Sequence, residues 1–241
     1  QVGEEIDQFG FNVSPELNYS AFEQAQISAV LEAMETFINV DFVQVGTLAE
    51  AEMEFSLSNT DTGGDFGSDL NLGFAFFPSG AQLGSAVTLN ADGLGWDREA
   101  TNDDPEGDDN GLLQGGTGLL TVIHEVGHAM GFDHPFEGNS SLLFPGLVDG
   151  NGDGVADDVF DDAGSFGLNQ DVFTAMSQTQ GLLDDPANGV HHPFLGPQGF
   201  NDTSARAGGM MAIDIAALQV TYGENTSFAN GNDTYAIEDV T

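Results

Sequence analysis

The sequence predicts an α+β fold, and three stretches carry that expectation. Asn18 to Val40 has the apolar spacing of a long amphipathic helix, and Thr117 to Met130 repeats that spacing later in the chain. Between them Glu52-Met53-Glu54-Phe55-Ser56-Leu57-Ser58 alternates polar and apolar residues, as a half-buried strand does.

The first helix opens on Ser20 and Glu23, spaced as a capping box, and its buried face is Phe22, Ile27, Val30, Leu31, Met34 and Phe37. Val40 to Val45 reads as a strand, followed by the alternating segment. Thr60 to Asp69 is a glycine- and aspartate-rich loop; Asp61, Asp65 and Asp69 there either bind calcium or belong to a plain flexible loop. Leu72-Gly73-Phe74-Ala75-Phe76-Phe77-Pro78 is a strand ended by proline, and Ala86 to Leu89 is the next. Proline marks an edge, and an edge strand is where an extended peptide adds by main-chain hydrogen bonds. Asp97 to Gly111 is a second acidic loop. The second helix is capped by Thr117, with Leu119, Val122, Ile123, Val126, Ala129 and Met130 as its apolar stripe.

Into that stripe is set His124-Glu125-Val126-Gly127-His128-Ala129-Met130-Gly131-Phe132-Asp133-His134, which reads HExxHxxGxxH. Histidines four apart project from one helical face and can grip one metal ion. Glu125, at the flank of that face, can hold an attacking water. Gly131 can adopt the left-handed conformation that ends a helix, so the chain turns and returns His134 as a third imidazole. Three neutral nitrogens and an open position make a catalytic zinc site rather than a closed structural one. The competing reading is a core helix that merely carries histidines. Three of the five histidines in the chain fall within these eleven residues, which favours the metal site.

The 241 residues hold forty acids, two arginines (Arg98 and Arg206) and no lysine, for a net charge of −38. That balance excludes nucleic acid and anionic membrane as partners, since both need positive charge. It suits calcium binding or work in high salt, where self-repulsion is screened. There is no cysteine, so neither disulfides nor thiolate ligands are available. No apolar run is long enough to span a membrane, and Gln1 to Glu5 is not a signal peptide; a leader has been removed or export uses another signal. Beyond His134 periodicity fades. Asp149, Asn151 and Asp153 occupy positions 1, 3 and 5 of a calcium-loop pattern with Gly154 at 6. Position 12 is Phe160, so Asp157, Asp158 or Asp161 must complete the shell. Met210 to Tyr222 is a closing helix with Ile213, Ala216, Ala217 and Val220 on one side, ended by Gly223.

The extended histidine motif resembles that of the metzincin metalloproteases. Pro135, directly after the third histidine, is similar to the serralysins, as are the edge segment Gly73 to Pro78, the helix Asp214 to Gly223 and the run Gly231-Asn232-Asp233-Thr234-Tyr235. The resemblance implies a zincin fold: a twisted mixed sheet with two long helices above a cleft, and a small irregular lower part with a C-terminal helix. It divides the chain into an upper part, 1–134, a lower part, 135–223, and 224–241 as lead-in to a C-terminal extension. It implies metal-assisted peptide hydrolysis with zinc on His124, His128 and His134 and Glu125 as general base. Met176 falls at the family's Met-turn. Where serralysins typically carry a tyrosine that can reach zinc, this chain has Gln178; the candidate replacement donors are Gln178 itself, His191 and His192, the competing reading being that the two histidines are surface residues beside Pro193. The expected protein is a secreted, monomeric, calcium-stabilised endopeptidase acting on protein or peptide. Its rivals are a non-catalytic acidic calcium-binding module at a cell surface and a metzincin of another subgroup.

Overall fold

The computed structural model describes residues 5–6, 12–13, 19–47, 50–58, 71–78, 85–93, 95–96, 110–137, 145–149, 155–157, 164–178 and 206–228. The aspartates of the first acidic loop, residues 97–109, Asn151, Asp153, His191, His192 and the run after 228 lie outside them. Two short strands, β1 (Glu5–Ile6) and β2 (Asn12–Val13), pair antiparallel.

Helix α1 runs Ala21–Glu35 and begins with the expected capping box: Ser20 Oγ accepts from the Glu23 amide, and Glu23 Oε2 accepts from the Ser20 amide. Glu23 has a second task. It is buried, and its Oε1 accepts a 2.9 Å hydrogen bond from the indole N–H of Trp96. Ile27, Val30 and Met34 are buried, with Phe22, Leu31 and Phe37 packed beside them. The helix stops five residues short of Val40. The chain turns at Thr36, and Ile38 forms a bridge with Glu224.

No strand forms over Val40–Val45. Val40 and Phe42 rest on the core, but the Phe42 amide donates to the Glu35 carboxylate instead of a ladder partner, and Val43 is 76% exposed. A run with one apolar side and no neighbouring strand to pair with stays irregular.

Strands β3 (Met53–Ser58), β4 (Gly73–Ala75) and β5 (Ser85–Asn90) form a mixed sheet in the order β3-β5-β4. The β3–β5 pair is parallel from Met53↔Ser85 to Ser58↔Asn90; the β4–β5 pair is antiparallel, with Phe74 opposite Thr88. β5 is central and buried throughout, and its polar residues are satisfied: Thr88 meets Ser56 at 2.9 Å, and the Asn90 amide donates to Asn71 O. β4 is an edge, as Pro78 foretold.

Helix α2 (Thr117–Ala129) packs on β4 and β5. Its cap is Gly116, and Thr117 is its first buried turn residue rather than its cap. The reason is close backbone approach: a Cβ on Gly116 would collide with the Gly111 carbonyl, which leaves no room for a capping side chain.

Helix α3 (Ala212–Tyr222) buries a different face from the one expected. Asp214 and Leu218 are inside, while Val220 is 89% exposed and Ala216 exposed. A buried carboxylate turns the helix, for reasons seen at the site. Beyond His134, Phe136, Leu147 and Ala156 form a small cluster apart from the main core.

Candidate active site

His124 and His128 stand on one face of α2, where residues four apart align. The helix ends at Ala129; Gly131 takes a φ of +96°, and the Phe132 amide turns back to Gly127 O at 3.0 Å. A side chain at φ of this sign is strained, which is why glycine stands there. The reversal brings His134 alongside. The three Nε2 atoms converge: His124 to His134 2.9 Å, His128 to His124 3.1 Å, and His128 to His134 3.1 Å.

The ring tautomers follow from the other nitrogens. His124 Nδ1–H donates to Ala175 O at 2.7 Å, and His128 Nδ1–H donates to Phe132 O at 2.6 Å. With those protons on Nδ1, both Nε2 atoms present lone pairs. Burial, then repulsion from His128 and His134, pulls the His124 pKa down to about 3; burial lowers that of His128 as well. Both rings are therefore neutral at neutral pH, as ligands must be. Lone pairs aimed at one point repel one another, and a cation at that point turns repulsion into bonding. Zinc–nitrogen bonds of about 2.0–2.1 Å reach a common point from a triangle of this size. The residues fit a metal ion.

Glu125 is buried between α2 and the edge strand. A Cβ on Gly73 would lie 2.8 Å from its Cγ, so glycine at 73 makes the room. Among the described residues its Oε2 has no hydrogen-bond partner, and burial pushes its pKa up to about 8. Leu72 and Phe76 bond inward to β5, so by alternation Gly73 and Ala75 turn their backbone groups to the outer edge. Phe77, half-exposed beyond the strand, sets its ring edge-on to His128 at 5.5 Å.

Met176 is buried where the Met-turn was expected, with its sulfur against Gly127 of α2. Sequence reasoning missed what holds it. Asp214 accepts from Thr174 Oγ1 at 2.6 Å, from the Ala175 amide at 2.7 Å and from the Met211 amide at 2.9 Å. Burial raises its pKa, opposed by those three donors. Through Ala175, whose carbonyl orients His124, this carboxylate reaches to one step from the metal position. Its only sequence signal was an acid in the first turn of a helix, which ordinarily reads as a dipole partner.

Other expected residues fare unevenly. Gln178 is exposed. Asp157 donates its amide to Val148 O at 2.8 Å, which joins the ends of the segment bearing Asp149 and Asp157; the intervening Asn151 and Asp153 lie outside the described residues. Among the described residues a second group capable of holding a cation is Asp133, His134 and Glu137.

Three imidazoles on a helix and its return, a buried carboxylate next to them and an open sheet edge define the class: a metallopeptidase domain of the metzincin kind. The chain belongs to the matrixin peptidase family, whose model matches residues 8–161. It is 27% identical to the serralysin of Proteus mirabilis over 240 residues, which is 95% of this chain and 40% of that protein. The chain thus spans about two fifths of the relative's length. Among the described residues no helix is long and apolar enough to cross a membrane.

Proposed function

We propose that this chain is the catalytic domain of a secreted, monomeric zinc endopeptidase of serralysin type. The observation that carries the reading is the convergence of three imidazole Nε2 atoms beside the buried side chain of Glu125, whose Oε2 has no hydrogen-bond partner among the described residues. Zinc, when bound, supplies a Lewis acid for the scissile carbonyl and lowers the pKa of water to about 7. Glu125 takes the proton of the attacking water and passes it to the leaving amine. Gly73 and Ala75 hold the substrate backbone extended along the outer edge of β4. Gln178, His191 and His192 are the candidate donors to the developing oxyanion, each tested by alanine substitution.

The calcium proposal rests on charge and spacing. Asp149, Asn151, Asp153 and Asp157 share an ion that ties 135–223 into a lower subdomain, with 224–241 leading into an extension. The rival, a non-catalytic acidic calcium-binding module at a cell surface, draws on Gln178 and on the −38 charge. Cleavage of a general protein substrate with and without a zinc chelator separates the two. Chelator-sensitive hydrolysis supports the peptidase; zinc bound in full with no hydrolysis supports the module.

A further inference from the structure

Two of the three histidines have a backbone carbonyl on Nδ1; His134 has none. Among the described residues its buried Nδ1 makes no hydrogen bond, although Glu137 Oε2 lies only 3.0 Å away. The neighbouring carboxylate of Asp133 is held on the backbone amide of His134 at 2.9 Å. The ring of His134 is stacked on Phe136, with centroids 4.6 Å apart and planes 13° apart. Stacking fixes the plane of an imidazole but not its flip, because a half-turn about Cβ–Cγ leaves the stack intact. That half-turn would carry Nε2 away from His124 and His128. A polar partner at Nδ1 must therefore select the orientation.

We propose that Glu137 is that partner, a positioning residue whose carboxylate accepts the Nδ1 proton of His134 and keeps Nε2 turned to the metal. A small rotation of its half-exposed side chain aligns the bond, and its backbone is already anchored, donating to His134 O at 3.1 Å and bridging to Val155.

The proposal rests on the triad being the zinc site, so the test begins with wild-type protein. One zinc bound per chain, lost in His124→Ala, secures the triad; wild type that takes up no zinc sinks both readings together. Glu137→Ala, at an exposed side chain that threatens no core, is then expected to bind zinc about 10–100-fold more weakly in competition with a chelator. In zinc-loaded, ¹⁵N-histidine-labelled protein its His134 Nδ1 resonance moves while those of His124 and His128 stay. Glu137→Gln, which keeps an oxygen acceptor without the charge, recovers part of the affinity. Glu137→Ala with wild-type zinc affinity and an unmoved His134 Nδ1 resonance overturns the proposal while leaving the triad intact.

Discussion

Among the described residues, those up to His134 and those beyond it are held by different forces. In the first, apolar burial dominates: α1, α2 and the sheet enclose Met34, Ile38, Leu57, Val87, Leu89, Val122, Ile123 and Val126. In the second, buried polar bonds carry more of the structure. Asp214 gathers three donors, Phe136, Leu147 and Ala156 make only a small cluster, and Ala175, Met210 and Leu218 borrow the core of the first part. The metal site straddles the two. His124 and His128 stand on a helix, and His134 on a turn, that local sequence forms, whereas the orientation of His124 depends on Ala175 and Asp214 of the later chain.

The comparison predicts which changes separate chemistry, stability and metal binding. Glu125→Ala should retain zinc while hydrolysis falls at least about a hundredfold, the usual share of a positioned base. Loss of zinc in that variant, or full activity, removes Glu125 from its role. Leu89→Ala, in the central strand, should cost about 2–5 kcal/mol of stability by denaturant titration and leave zinc affinity of the folded protein unchanged. Asp214→Ala should do the reverse in emphasis: zinc affinity falls about 10–100-fold as the support behind His124 loosens, with a smaller loss of stability. If Leu89→Ala weakens zinc as much as Asp214→Ala does, the two parts are not distinct in this way. Calcium chelation in low salt should lower the melting temperature and speed cleavage within 135–223 before cleavage elsewhere; an unchanged melting curve counts against the calcium loop.

The smallest effect is a pH dependence in zinc-free protein. Folded Glu125 keeps its proton up to about 8, while the unfolded chain loses it near 4.5. Between those values the unfolded state binds fewer protons, so this group's contribution to stability falls as pH rises and is constant below the window. Melting wild type and Glu125→Gln at pH 5 and pH 8 checks it. Wild type should lose stability relative to the variant at the higher pH, and an equal gap at both values would show that Glu125 is not desolvated.

What the sequence disclosed was whatever is encoded within a few residues. The capping box at Ser20, the proline after β4 and the glycine turn before His134 are local patterns and formed as read; β3 formed too, but it buries Ser56, Leu57 and Ser58 in a row rather than alternate residues. Val40–Val45 has strand composition, but a strand needs a neighbour, and the Glu35 carboxylate took the Phe42 amide. Thr117 is a good capping residue displaced because the backbone of Gly111 crowds Gly116. The face of α3 was misjudged because alanine and valine look like core until a buried aspartate claims the inner side. The role of Asp214 was invisible, since two of its three partners lie some forty residues away.

That distance has a consequence in time. The carbonyl that orients His124 belongs to a residue 51 positions later, and the carboxylate that holds that residue's amide comes 39 positions later still. A chain leaving the ribosome offers α2 and its two histidines long before Asp214 is made. Until α3 docks, His128 has its partner in Phe132 O but His124 lacks the support behind Ala175, and a loosely held ion is a weak activator. A site completed in this way gains its full grip on the metal only once α3 is in place.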